Sequence, residues 1–184
     1  MDLSSASPPV ILAGLALGWA AAEDLGRRII PDTVPVLLVV LGIAPPVVHG
    51  AVPWSAIGAA LVTFLALAWM HGRGWLGGGD VKLAAALVLL VGADDAAGFI
   101  MATALAGGVL SVVYAGGCLI ARRLGLVRRL LRRFGPRRRL GGPARLLVEE
   151  VHRIATRHSV PYGVALAAGG MLALTNPSGG VAWP

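Results

Sequence analysis

Long apolar runs alternate with short charged clusters along this chain, and the runs have the length of membrane spans. Windows at 3–22, 33–48, 54–70, 76–93, 96–121 and 159–176 are almost free of charge. A helix of about 20 apolar residues crosses the ~30 Å hydrocarbon core of a bilayer. The pattern predicts an all-α integral membrane protein with six transmembrane helices. Pro45, Pro46, His49 and Pro53 divide the uncharged stretch from Thr33 to Met70 into two spans. The fourth window is the weakest, because only 13 residues lie between Asp80 and Asp94. At 1.5 Å per residue these rise only ~20 Å. Either this helix reaches back towards Trp75, or Asp80 lies within the depth of the membrane.

Positive charge orients the spans. Arg27 and Arg28 follow the first, Arg73 and Lys82 flank the start of the fourth, and the other twelve cations fall between Arg122 and Arg157. All 16 occupy odd-numbered connections, which share one side of a membrane; the even connections and both termini hold none. The positive-inside rule makes the odd connections cytoplasmic and places both termini outside. Within the basic connection 122–158, Leu126, Leu130 and Leu131 recur between arginines at helical spacing. That is the pattern of helices lying on anionic lipid, broken at Gly135–Pro136 and Gly141–Gly142–Pro143, and no nucleic-acid partner is expected.

Composition agrees: of 184 residues, 57% are hydrophobic and 14% charged, against about 25% charged in soluble domains. The spans leave no room for a second ordinary domain, so 1–184 reads as one membrane domain. Ala20–Ala22 resembles a signal-peptidase site, but no basic residue precedes it, so the first segment is expected to be retained. Cys118 is the single cysteine and reads as a small core residue. Gly14 and Gly18 form a GxxxG, and Gly107–Gly108 and Gly116–Gly117 lie in the fifth span; close helix packing accounts for all of them. Trp54, Trp75 and Trp183 fall near span ends, as interfacial anchors do.

Nine acidic residues remain to be sorted. Asp2, Asp94, Asp95, Glu149 and Glu150 read as solvated, and Asp32 follows Pro31 at a turn position. Glu23 and Asp24 end the first span at its inner side, and Asp80 begins the fourth at the same side. If those helices are neighbours, Asp24 and Asp80 can face each other near the cytoplasmic surface. Two carboxylates in one poorly solvated site do not both ionise readily, so one keeps a proton near neutral pH. One ionised and one protonated carboxyl is the equipment for peptide hydrolysis by water. Asp80 sits at a helix N-terminus and Asp24 at a C-terminus, so the dipoles favour Asp80 as base and Asp24 as acid; Arg27 and Arg28 act in the opposite sense. The glycines at 77–79 are expected to form a flexible loop, with backbone angles closed to other residues and no side chains to hinder an extended peptide. A glycine turn before a capping Asp, and an Asp24–Arg28 pair four residues apart on the helix, are the plainer readings of the same residues.

Together these stretches resemble the type IV prepilin peptidase family of GxGD aspartic proteases. Gly77, Gly79 and Asp80 supply the GxGD within 77-GGGDVKL-83, with Gly78 as the variable position and Lys82 following. The stretch 24-DLGRRIIPD-32 is similar to the family's first catalytic aspartate and the short basic turn after it. The stretch 160-VPYGVALAAGG-170, with Pro161, Tyr162 and Gly163, resembles the start of its last helix. The resemblance implies Asp24 and Asp80 as the catalytic pair and no metal or other cofactor. It implies a prepilin or pseudopilin substrate, a basic leader before an apolar helix, cut at the cytoplasmic face of the bacterial cytoplasmic membrane. Because no CxxC pairs precede the first span, the chain is similar to the short forms that serve tight-adherence (Flp-type) pili, and no methyltransferase activity is expected.

Two other functional classes make different demands. A transporter or ion pathway would place acids at several depths, whereas the middles of these spans are uncharged. A pilus or secretion scaffold with structural carboxylates would tolerate their loss. His71, His152 and His158 lack the spacing of a zinc protease, and no Ser-His-Asp elbow is present.

Overall fold

A computed structural model describes residues 8–123 and 161–175. Six helices and no strand occur among the described residues: α1 (Pro8–Arg27), α2 (Thr33–Val48), α3 (Trp54–Gly72), α4 (Gly78–Val91), α5 (Ala93–Arg123) and α6 (Tyr162–Thr175). They correspond closely to the six apolar windows. Residues 1–7, 124–160 and 176–184 lie outside the described set. The expectations for Asp2, for most of the basic connection with Glu149, Glu150, His152 and His158, and for Trp183 lie there too, and the side chain of Cys118 is likewise not described.

The chain forms two compact units. One comprises Met1–Gly107 with Pro161–Pro184, and the other Gly108–Val160. In the first, α4 is the central helix and packs against α3, α2 and α6, while α1 packs along α6 and α2. Its sequence explains that place. Val81, Leu83, Ala84 and Ala86–Val91 are all buried, so the helix is apolar around most of its circumference. Close approach depends on small residues. A Cβ at Gly42 of α2 would lie 3.1 Å from the Leu90 backbone, and one at Gly170 of α6 would lie 2.8 Å from Leu87 Cδ2. Of the second unit, the described part is the continuation of α5 to Arg123.

Helix α4 begins at Gly78 and does not reach Trp75. Its 14 residues rise ~21 Å, less than a hydrocarbon core. Helices α1, α3 and α5 are long and apolar enough to cross a membrane, while α2 and α6 are shorter apolar helices. Many large apolar side chains on α1, α2, α3 and α5 are exposed, among them Leu15, Val36, Val62 and Val112. Lipid would cover such a surface.

One expectation is corrected. Asp94 is exposed, but Asp95 is buried, 5% exposed, and no outer loop holds it. Only Gly92, at φ 87°, separates α4 from α5. Asp95 therefore falls in the first turn of α5, where unpaired backbone N–H groups and the helix dipole favour a carboxylate. The break between the second and third windows falls where they place it. Pro45 and Pro46 lie inside the last turn of α2, and their carbonyls accept from His49 N and Ala51 N, so the break falls at Gly50, φ 76°.

Candidate active site

Asp24 belongs to the packed face of α1. Ala13, Ala16, Leu17, Ala20 and Asp24 form one buried stripe at helical spacing, and the carboxylate at its end is only 6% exposed. An unpaired polar group at such a position is costly. The partner comes from α6: Gly163 N–H donates to Asp24 Oδ2 at 2.9 Å. Pro161 sets this up. It is fully buried, directly precedes α6, and accepts the Val164 N–H at 3.2 Å. Proline at a helix start loses no hydrogen bond that the helix would use. A Cβ on Gly163 would lie 2.8 Å from Asp24 Oδ2 and 3.0 Å from its Cβ and Cγ. Only glycine lets the start of α6 sit on this carboxyl.

Beyond Asp24 the helix ends with Arg28 in the left-handed region, φ 58°, its N–H donating to Asp24 O at 2.9 Å. An ion pair at this end joins Glu23 and Arg27 at 3.5 Å, four residues apart on a solvated face. The chain then turns through Ile30 and Asp32 into α2. Asp32 makes no side-chain cap on that helix; its Oδ1 accepts from Lys82 Nζ at 2.8 Å.

Asp80 is the third residue of α4, after Gly77 in the cap position. Its carboxylate accepts the Gly77 backbone N–H, which is one half of a capping box. The expected role of the glycines needs correction here. Gly77 is extended (φ −71°, ψ 142°), and Gly78 and Gly79 are helical, so none of the three uses angles closed to other residues. What matters is the missing Cβ. At Gly77 it would stand 2.8 Å from Asp80 Oδ2, and at Gly79 3.1 Å from Ile30 Cβ in the turn after α1. At Gly78 it would meet only the His71 ring, at 3.4 Å. The G-x-G spacing therefore follows from two different close approaches, with the tolerant position between them.

Asp24 and Asp80 are close enough for the Asp24 charge to act directly on Asp80. The turn after α1 lies against the start of α4 through Ile30 and Gly79 and through the Asp32–Lys82 pair, and α6 closes on Asp24 from the other side. Each carboxylate thus meets the N-terminus of a helix. Dipoles act on both alike, so Asp80 is not distinguished as the base on that ground.

Of the residues expected at the site, Gly77, Gly79 and Gly163 touch or frame the carboxylates, and Pro161 positions Gly163. Tyr162 lies beside Asp80 in the wall of a cavity of about 530 Å³. Lys82 does not line that cavity; it faces a separate apolar groove between α2, α3 and α4 together with Asp32. Sequence reasoning missed Asp32 as Lys82's partner and Ile30 as the residue Gly79 accommodates. It also missed His71, whose Nδ1 lies 2.8 Å from Leu76 O and ties the end of α3 to the segment before Gly77. Arg73 stacks at 4.2 Å over Trp69 beside Trp75 in the same connection. No curated protein and no solved structure matches the chain. A family model described as the type IV leader peptidase family matches residues 11–112, which include Asp24 and 77-GGGD-80 but not Pro161–Gly163. Matched over more than half its length, the chain belongs to the type IV leader peptidase family and is a protease.

Proposed function

We propose that the chain is a membrane aspartic endopeptidase that removes the short basic leader from Flp-type prepilins or pseudopilins, with Asp24 and Asp80 as the catalytic pair. The observation that carries this is the convergence of a buried carboxylate from α1 and a half-buried one from α4, each met by a backbone N–H at the start of a helix. Ordinary structural acids at helix ends have no reason to converge.

The chemistry follows from one shared proton. The ionised carboxylate takes a proton from water as the oxygen attacks the scissile carbonyl carbon. The protonated partner donates to the carbonyl oxygen, giving a neutral tetrahedral diol. On collapse the C–N bond breaks, the amine leaves with a proton from the first carboxyl, and the second carboxyl recovers the one it gave. The pair titrates as a unit, with two apparent constants. The distribution of cations supports six spans, both termini outside and a site near the cytoplasmic face of the bacterial cytoplasmic membrane, with the basic connection on anionic lipid.

Co-expression with a prepilin from the same genome, in a host lacking its own leader peptidase, tests the reading. Wild type should shorten the pilin, while Asp24→Asn and Asp80→Asn at equal membrane levels should not. Cleavage that persists in both variants would end the aspartic mechanism.

A further inference from the structure

The cavity that holds Asp80 in its wall lies between α3, α4, α5 and α6, with a volume of about 530 Å³. Its lining fixes its direction. Met70, Leu76, Asp80 and Tyr162 mark one end; one helical turn further in come Ala66, Ala84 and Leu166, and Thr63 lies about another turn beyond on α3. The cavity thus extends ~10 Å from Asp80 along the helices, away from the connection between α3 and α4. Apart from Asp80 and the Tyr162 hydroxyl, it offers little polar chemistry. Thr63 Oγ1 donates to Ala59 O at 2.9 Å, and Thr103 Oγ1 is buried away from it. Volume and lining are those of a site for apolar side chains. A basic leader would bury cations there with a single carboxylate to meet them, and that carboxylate is needed for chemistry.

Building on the peptidase reading, we infer that this cavity receives the first apolar side chains on the mature side of the scissile bond, and that Ala66 and Ala104 set the size it admits. Ala66 and Ala104 are exposed rather than packed. Replacing either by leucine adds three carbons to the cavity and removes no contact from the core. The leader then lies on the opposite side of Asp80, beyond the Gly77 end of α4, which gives the peptide a direction through the site.

The test uses one prepilin from the same genome carrying Ala or Phe at its first mature position, cleaved by wild type, Ala66→Leu and Ala104→Leu. Leu65→Phe and Leu105→Phe, on the same helices but outside the cavity lining, serve as controls. The leucine variants should lower kcat/KM for the Phe substrate at least tenfold more than for the Ala substrate, and the controls should affect both equally. A parallel loss with both substrates, or none with either, overturns the proposal. A second readout does not need catalysis. A benzophenone side chain at the first mature position should cross-link the Asp80→Asn enzyme on α3 or α5; attachment to α1 or α2 overturns the inference. Cross-linking at α3 or α5 by a wild type that does not cleave would support the pocket while refuting the peptidase reading.

Discussion

Gly163→Ala is the sharpest perturbation available. The added Cβ would stand 2.8–3.0 Å from three atoms of Asp24, where ordinary contacts begin near 3.4 Å. One of these atoms, Cβ, is fixed by the backbone of a buried helix and cannot rotate away. Either the start of α6 moves out by about half an ångström, or the carboxyl turns and gives up its 2.9 Å bond from Gly163 N. A hydrogen bond to a charged group is worth about 1.5–3 kcal/mol. Misplacing a reacting group by up to 1 Å costs about a hundredfold in rate. The expected outcome is a fall in kcat of ten- to a hundredfold; KM stays within about threefold where the carboxyl turns, and rises as well where α6 moves, because Tyr162 and Leu166 line the cavity beside Asp80. Purified enzyme in detergent or nanodiscs, with a prepilin substrate followed by gel densitometry, gives both constants, and thermal unfolding checks that the fold survives. Activity within twofold of wild type would show that Asp24 does not depend on its seat at α6.

Alanine at the three consecutive glycines should separate them. Gly77→Ala and Gly79→Ala should lose most activity, from contacts at 2.8 Å with Asp80 and 3.1 Å with Ile30, whereas Gly78→Ala meets only a side chain at 3.4 Å and should lose least; equal losses at all three would refute the contact argument. Gly78→Ala should also raise thermal stability slightly, since alanine is better than glycine inside a helix by about 0.5–1 kcal/mol. The Asp32–Lys82 bridge is exposed on both sides and worth at most about 1 kcal/mol, so Lys82→Met should slow cleavage less than about fivefold. The double exchange Asp32→Lys with Lys82→Asp should recover much of that loss, and no recovery would mean that the bridge does not hold the α1–α2 turn to α4.

The helices were readable because apolar spacing alone demands them: a 16-residue uncharged run between Asp32 and His49 became α2 with the same bounds. Asp24 was readable for a reason the apolar windows hide. It continues the stripe Ala13, Leu17, Ala20 by one more turn, so a carboxylate stands where the packing pattern calls for an apolar residue. Asp95 was misjudged because charge beside charge reads as a loop, whereas one residue of a pair in a helix's first turn can face inward while its neighbour faces out. The cavity was not legible at all. Ala66, Ala84 and Ala104 come from three helices, and no spacing within one segment announces that their small side chains meet.

The two glycine motifs are one device used twice. At Gly77 and at Gly163 a backbone N–H at a helix start donates to a carboxylate, and at both a Cβ would come within 2.8 Å of that acid's Oδ2. The reason is electrostatic. Two carboxylates placed together, one buried and one half-buried, repel whenever both are charged, and each loses part of its hydration. A backbone N–H at a helix start offsets part of the cost without contributing a full charge. On the proposed mechanism this leaves the pair able to exchange one proton, which hydrolysis by water needs. Reaching the carboxylate closely enough excludes any side chain on the donor residue, so the glycines follow from these close contacts rather than from a need for flexibility. On this account, converting either donor glycine to alanine should harm catalysis by the same route, and the two effects should be less than additive in the double variant, because both act on one shared proton.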